Sequence, residues 1–164
     1  MKGCLNNGIE FAYPNTYTIY MKKSALVSLT ALFFIANANA QSKVIAEISN
    51  LKNDKGVCKV CLFNNAASFK GESGQPFACA TIPVKNKNAQ ATFQNVPAGD
   101  YALFVFHDEN SNNKIDKNFL GIPKEGYGAS KNKLPFAGAP AFNDNRFTVE
   151  NNSTIKLQVK IRNL

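Results

Sequence analysis

Short runs in which apolar and polar residues alternate dominate the chain from residue 43 onward. Val44, Ala46 and Ile48 share one face of residues 43–51, and every second residue of 154–161 is apolar. This period of two is typical of β-strands with one buried face. Further strands are predicted at residues 57–63, 79–84, 89–96, 101–107 and 146–150. No sustained helical period interrupts them, so the pattern predicts an all-β sandwich or barrel.

Turn signals and composition assign roles to several of these strands. The turn signal Asn53–Gly56 predicts that the first two strands form a β-hairpin. Pro83 indicates a sheet edge for residues 79–84, because proline cannot donate to a ladder. Tyr101–His107 is apolar on both faces and is expected at the centre of the core. One helical turn is predicted around Ala66–Phe69.

A long interruption of the strand pattern spans residues 108–145. Loops of this length are usually functional or disordered in small domains. This one is expected to be ordered, because it contains many large apolar residues. They are Phe119, Leu120, Ile122, Tyr127, Leu134, Phe136 and Phe142. Function is therefore expected in this loop.

The segment that begins at Met21 has the layout of a secretory signal. Two lysines precede the apolar run at residues 25–36, and the small residues Ala38 and Ala40 follow it. The run is shorter than the ~20 apolar residues of a membrane span. We therefore expect export to the periplasm or the extracellular space, with cleavage after Ala40.

This interpretation divides the chain into three parts. Residues 1–20 fit neither a signal nor a domain and are interpreted as a misassigned extension, with translation starting at Met21. Residues 21–40 are the signal peptide, and residues 41–164 are a single domain of 124 residues without a membrane span. That domain has 16 Lys and Arg against 10 Asp and Glu, a net charge of +6. Because its lysines are scattered, nucleic-acid binding is not expected.

Export would place the cysteines of the domain in an oxidising compartment. Cys58 and Cys61 resemble a redox C-x-x-C motif, but they lie in a predicted strand, where residues three apart point to opposite faces. Cys61 shares a face with Phe63 and could reach a neighbouring strand. We predict a structural Cys61–Cys79 disulfide and an inert, buried Cys58.

The most specific motif begins at Asp108. Oxygen-bearing side chains occupy relative positions 1, 3, 5 and 9, which is the spacing of a calcium loop. The predicted ligands are Asp108, Asn110, Asn112, Asp116 and the main-chain carbonyl of Lys114. Asn113 replaces the usual glycine at position 6 and is expected at positive φ.

Position 12 of the loop is Phe119 instead of the usual bidentate glutamate, and Glu125 is the nearest replacement. Because Lys114 and Lys117 offset part of the acidic charge, we expect weak calcium binding, about 10⁻⁴ to 10⁻³ M. The alternative is an Asx-rich turn held by side-chain to backbone hydrogen bonds.

His107, the only histidine, cannot form a conventional zinc site alone. No nucleophile-elbow motif accompanies it, and no catalytic residue is predicted. Residues 121–128 contain three glycines and a proline and fit no phosphate-binding motif, so a structural loop is expected there.

Three segments together resemble a family of exported bacterial proteins, the domain of unknown function numbered 2141. They are residues 96–102 (VPAGDYA), residues 107–116 (HDENSNNKID) and residues 121–128 (GIPKEGYG). The stretch 137–142 is similar to a later family motif, with Ala139 departing from its first proline. The resemblance implies an exported, sandwich-like domain without an established activity.

The turn Pro97–Tyr101 also resembles those of prealbumin-like and adhesin-repeat sandwiches, in which calcium loops stabilise stacked domains. We therefore expect a single antiparallel β-sandwich with about seven strands and one long ordered loop. The expected function is a binding or structural module of the cell envelope, with a glycan, a peptide or another envelope protein as partner. The alternative is an enzyme that uses His107, Asp108 and Glu125 on an envelope polymer. A metal carrier is not favoured, because the domain has a single histidine.

Overall fold

The computed structural model describes residues 42–136 and 138–163, which form eight strands and two short helices. The strands are β1 (Ser42–Ser49), β2 (Val57–Phe63), β3 (Ala78–Pro83), β4 (Ala89–Val96), β5 (Gly99–Asp108), β6 (Tyr127–Ala129), β7 (Phe147–Val149) and β8 (Thr154–Lys160). The helices are α1 (Ala66–Lys70) and α2 (Phe142–Asn145). The predicted extension and signal peptide lie outside the described residues.

The strands form two sheets that enclose one main core. One sheet has the order β4-β1-β8, and the other has the order β3-β2-β5-β6 with β7 paired to β5. The core between them takes buried side chains from both sheets, among them Val44, Ile48, Val60, Leu103 and Val105. The predicted all-β sandwich class is therefore confirmed.

Two details of the predicted sandwich need correction. There are eight strands in the described residues, because the long loop contributes β6. The sheets are also not purely antiparallel, since β1 and β8 run parallel, with Val44 beside Ile155. Nearly the whole domain connects these two strands, so no tight turn forces them to run in opposite directions.

The predicted hairpin of β1 and β2 is wrong. β1 pairs with β4 and β8, whereas β2 pairs with β3 and β5 in the other sheet. The connection between β1 and β2 is anchored at Leu51, which is buried and whose N–H donates to the carbonyl of Lys87 in the turn before β4. The segment is thus a crossover between sheets that happens to contain a turn.

Three further assignments of strands and helices agree with the structure. β5 lies between β2 and β6 in the centre of its sheet, and β3, which ends at Pro83, lies at the edge of that sheet. The predicted helical turn is α1, which Asn65 caps by accepting the Ser68 N–H. None of the helices in the described part of the chain is long and apolar enough to span a membrane.

A second apolar cluster covers the outer face of the five-stranded sheet. Phe69 of α1 and Phe142 of α2 pack there against Phe63, Ala102 and Ala129. The long loop is therefore tied to the sheet in its middle by β6 and near its C-terminal end by α2. Its apolar residues are not uniformly buried, however. Tyr127 and Phe142 are buried and Leu134 is half-buried, whereas Phe119, Leu120, Ile122 and Phe136 are exposed.

Candidate functional site

The acidic loop (residues 108–116) begins at the last residue of β5. Asp108 is fully buried, and the loop base packs against the backbone of Gly56. A Cβ atom at Gly56 would lie 2.0 Å from the carbonyl oxygen of Asp108, and Gly56 has φ +65°. Only glycine fits both requirements. The crossover after β1 therefore supports the point where the acidic loop leaves the sheet.

The carboxylate of Asp108 organises the first half of the loop. It accepts the N–H groups of Asn112 at 3.0 Å and of Asn113 at 2.8 Å. The chain turns sharply enough to bring these groups back because Ser111 and Asn113 have positive φ values of 58° and 64°. The expected positive φ at Asn113 is thus confirmed. The loop curls around the Asp108 side chain.

Two asparagine side chains connect the first half of the loop to Asp116. Asn110 donates from its amide nitrogen to one oxygen of Asp116 at 2.8 Å, and Asn112 donates to the other oxygen at 3.1 Å. The amide oxygen of Asn110 accepts the N–H of Asn112, and that of Asn112 accepts the N–H of exposed Lys114. Side chains at loop positions 3, 5 and 9 therefore meet, as the spacing predicts.

Glu125 follows the acidic loop in sequence and connects the two ends of that loop. The N–H of His107 in β5 donates to the carbonyl of Gly126, which places the preceding residue beside the loop. The buried Glu125 carboxylate accepts the N–H of Glu109 at 3.1 Å and the N–H of Asp116 at 3.0 Å. It therefore joins both ends of the acidic loop, although it lies nine residues after Asp116.

The side chain of Glu109 serves a different contact. It accepts a hydrogen bond from the Asn53 amide at 2.8 Å and forms an ion pair with Lys52 at 3.4 Å. The Asn53 hydrogen bond, followed by the contact with Lys52, lowers the pKa of the Glu109 carboxyl below its ordinary value. Glu109 thus links the loop to the crossover after β1.

The loop offers oxygen ligands of the kind that a hard cation prefers. Each carboxylate oxygen of Asp108, Asp116 and Glu125 accepts one hydrogen bond, which leaves about one lone pair on each. Within residues 42–136 and 138–163, however, no three Asp, Glu, His or Cys side chains are grouped closely enough to hold a metal. Coordination here would require amide or main-chain oxygens in addition to carboxylates.

His107 is buried beneath this loop. Its Nε2 atom lies 2.8 Å from the carbonyl oxygen of Lys55, so we assign the proton to Nε2. Its buried Nδ1 atom has no hydrogen-bond partner among the described residues. Two cavities of about 390 and 420 Å³ lie elsewhere, one beside Asn132 and Arg162 and one beside Gln90 and Gln158. Neither cavity is lined by His107, Asp108 or Glu125.

The cysteines adopt the predicted arrangement. Cys61 and Cys79 are directly opposite in the β2–β3 ladder and form a disulfide. Cys58 is free and lies in the core on the opposite face of β2. Burial raises the pKa of its thiol to about 12, which makes it unreactive.

Sequence reasoning did not identify the residues that support the loop from the crossover. Asn53 and Gly56 contact Glu109 and Asp108, respectively. Their turn pattern is visible in the sequence, but nothing in that pattern indicates that it packs against a segment more than fifty residues away. Because glycine has no side chain, the residue type does not indicate which distant segment a turn glycine contacts.

Comparison with known proteins identifies the family but gives no activity. A family model described as "Uncharacterized protein conserved in bacteria (DUF2141)" matches residues 46–156. No curated protein matches the chain. A leucine-rich repeat protein from Bacteroides thetaiotaomicron has a similar region, with 14% identity over 74% of this chain and a TM-score of 0.33. The match spans only 12% of that protein. Since the family model covers most of the sandwich, this chain belongs to the DUF2141 family.

Proposed function

We propose that this protein is an exported binding or structural module of the cell envelope or extracellular space, stabilised by calcium at the acidic loop. The observation that carries the proposal is the position of Glu125. This buried carboxylate accepts hydrogen bonds from Glu109 and Asp116 and so completes a loop that already holds two aspartates. The Glu125 carboxylate thus adds oxygen atoms to those of Asp108 and Asp116 that a hard cation could bind.

The proposed ligands are Asp108, Asn110, Asn112, the Lys114 carbonyl, Asp116 and Glu125. Calcium takes six to eight oxygen ligands in flexible geometry, so this mixed set suits it. The amide groups of Asn110 and Asn112 now direct nitrogen atoms at Asp116, and their oxygens accept backbone N–H groups. Calcium binding would therefore require both amides to turn. This rearrangement and the nearby lysines favour weak affinity.

Export is supported by the disulfide and by the signal-like sequence. A Cys61–Cys79 bond persists in an oxidising compartment and is rare in the cytosol. The proposed partner is a glycan, a peptide or another envelope protein. Screening the purified protein on a glycan array tests the first of these classes.

The enzyme alternative has less support from the site. A general acid or base must come within hydrogen-bond reach of its substrate. His107 and Asp108 are both fully buried, and His107 is already bonded to Lys55. A binding module predicts no turnover of envelope glycans by the wild type. Turnover that disappears in Glu125→Gln, with the fold retained, would favour the enzyme instead.

The calcium proposal is tested by NMR titration of ¹⁵N-labelled protein with calcium chloride. The amide signals of residues 108–116 should shift and saturate with a dissociation constant of about 10⁻⁴ to 10⁻³ M. Asp108→Asn should remove the saturable shifts, and Glu125→Gln should weaken binding by about tenfold. Glu72→Gln is the matched control, because Glu72 is an exposed carboxylate after α1. If the wild-type signals do not move at ten times the expected dissociation constant, the site is not a calcium site.

A further inference from the structure

A small hairpin projects from the end of the acidic loop. This tip hairpin (residues 117–123) is closed at its base by an isolated antiparallel β-bridge between Lys117 and Pro123. The N–H of Asn118 donates to the carbonyl of Ile122 at 2.8 Å, and the N–H of Gly121 donates to the carbonyl of Asn118 at 2.9 Å. Gly121 has φ +77°, a conformation common in short hairpin loops.

The side chain of Asn118 fixes the hairpin further. Its oxygen accepts the N–H groups of both Leu120 and Ile122 at 3.0 Å. Just below, the N–H of Lys124 donates to the carbonyl of Asp116 at 2.7 Å. The turn is thus held in one conformation by its own hydrogen bonds and by the acidic loop.

This fixed turn presents large apolar side chains to solvent. Phe119 is 94% exposed and Leu120 is 67% exposed, and the neighbouring Ile122 is about half exposed. Neither Phe119 nor Leu120 belongs to the two apolar clusters of the sandwich. Contiguous exposed apolar residues of this kind mark interaction surfaces.

The exposed charge around the tip is mainly positive. Lys114, Lys117 and Lys124 are all exposed and flank the apolar residues in sequence. The nearby carboxylates of Asp108 and Glu125 are buried, and that of Asp116 is occupied by two asparagine amides. A surface that complements the tip must therefore combine an apolar interior with negative charge at its boundary.

We propose that the tip hairpin docks this protein on an anionic lipid bilayer. Phe119 and Leu120 enter the acyl region, while Lys114, Lys117 and Lys124 contact the headgroup phosphates. An apolar anchor combined with basic residues is the usual requirement for stable attachment at a membrane surface. A projecting turn needs no complementary pocket, because a bilayer adapts to its shape. This inference does not rest on the proposed calcium site.

The test is cosedimentation of the purified domain with vesicles of phosphatidylcholine, with and without phosphatidylglycerol. It is run both in calcium and in chelator, so that a calcium effect is measured separately. The wild type should bind the anionic vesicles in at least one buffer. Phe119→Ser with Leu120→Ser should reduce that binding by about tenfold or more. Lys117→Gln with Lys124→Gln should reduce it by about fivefold for each lysine.

Phe136→Ser is the matched control, because Phe136 is equally exposed but lies outside the tip hairpin. It should bind like the wild type, and all variants should retain the wild-type melting curve. The proposal is overturned if the wild type binds no anionic vesicles in either buffer, which would leave a protein partner for the tip. It is also overturned if the Phe119 and Leu120 variant binds as well as the Phe136 variant.

Discussion

At the scale of single residues, Cys58 and Cys61 lie in different chemical environments although both belong to β2. Successive side chains of a strand point to opposite faces, so two residues three positions apart cannot share one. Cys58 is fully buried in the core, whereas Cys61 faces the second apolar cluster and pairs with Cys79. A dithiol exchange reaction between Cys58 and Cys61 is therefore prevented by the strand itself.

The Cys58 thiol should make stability depend on alkaline pH. Burial raises its pKa from 9.0 to about 12, so the unfolded thiol ionises first as the pH rises. The contribution of Cys58 to folding is complete below pH ~9 and is lost progressively towards pH ~12. Urea unfolding at several pH values should show that the free energy of unfolding falls between pH ~9 and ~12, and that it falls less in Cys58→Ala. An equal fall of the unfolding free energy with pH in the two proteins would contradict the burial of Cys58.

The disulfide should contribute stability by restricting the unfolded chain. Its two cysteines are separated by 18 positions, and closing a loop of that size stabilises a protein by about 3 kcal/mol. Replacing Cys61 and Cys79 by alanine should lower the free energy of unfolding by that amount. Non-reducing peptide mapping should link Cys61 to Cys79 and leave Cys58 free. A Cys58–Cys61 link would mean that β2 is not a regular strand.

At the scale of elements, the acidic loop depends on the crossover that follows β1. Gly56 lies directly against the carbonyl of Asp108, and Asn53 binds Glu109. The loop is therefore held from three sides, by the end of β5, by Glu125 and by this crossover. Its conformation is set by contacts between distant segments.

Two glycine substitutions test the contact between the crossover and the loop. Gly56 and Gly71 have similar positive φ values of 65° and 73°, but an added Cβ meets the Asp108 carbonyl only at Gly56. Gly71→Ala should cost about 1–2 kcal/mol of stability, the strain of a left-handed alanine. Gly56→Ala should cost about 3 kcal/mol or more, because backbone must also move. If urea unfolding gave similar losses of stability for the two variants, the crossover would not contact the acidic loop at Gly56.

The strand faces could be predicted from the sequence, but their partners could not. Val44 and Ile48 alternate with polar residues, and alternation identifies the buried side of a strand in either sheet. Alternation therefore does not indicate that β1 and β2 belong to different sheets. The turn signal at Asn53–Gly56 is also ambiguous, since turns occur in crossovers as well as in hairpins.

In the candidate site, too, local contacts could be predicted from the sequence and contacts between distant segments could not. The spacing of Asn110, Asn112 and Asp116 predicts side chains that meet, because their separations along the chain are short. Glu125 could be suggested only as the nearest carboxylate, and its contacts depend on how β6 pairs with β5. The exposure of Phe119 and Phe136 could not be predicted, because apolar composition does not indicate which side chains find a core.

At the scale of the whole molecule, the Cys61–Cys79 disulfide is of the kind that persists in oxidising compartments, which is consistent with the proposed export. Mass spectrometry of the protein recovered from its native envelope should find Gln41 at the N-terminus, with export removing residues 21–40. Recovery of an intact segment 21–40 would contradict the signal assignment.

Calcium binding should stabilise the whole molecule, because the ligands come together only in the folded chain. At a free concentration 100 times the dissociation constant, the expected gain is about 2.7 kcal/mol. Magnesium should stabilise much less, since it demands a smaller octahedral site and loses water reluctantly. Lys114→Ala should retain the calcium effect or increase it, because that substitution removes an opposing charge while keeping the main-chain carbonyl.

The most direct test of the proposed calcium site is the thermal unfolding midpoint of the wild type and of Asp108→Ala. Each midpoint is measured in millimolar calcium, in magnesium and in chelator. We predict that calcium raises the wild-type midpoint by several degrees over both magnesium and chelator. The midpoint of Asp108→Ala should be the same in all three buffers. An unchanged wild-type midpoint in calcium would contradict the proposal and leave the acidic loop as an Asx-rich turn held by its own hydrogen bonds.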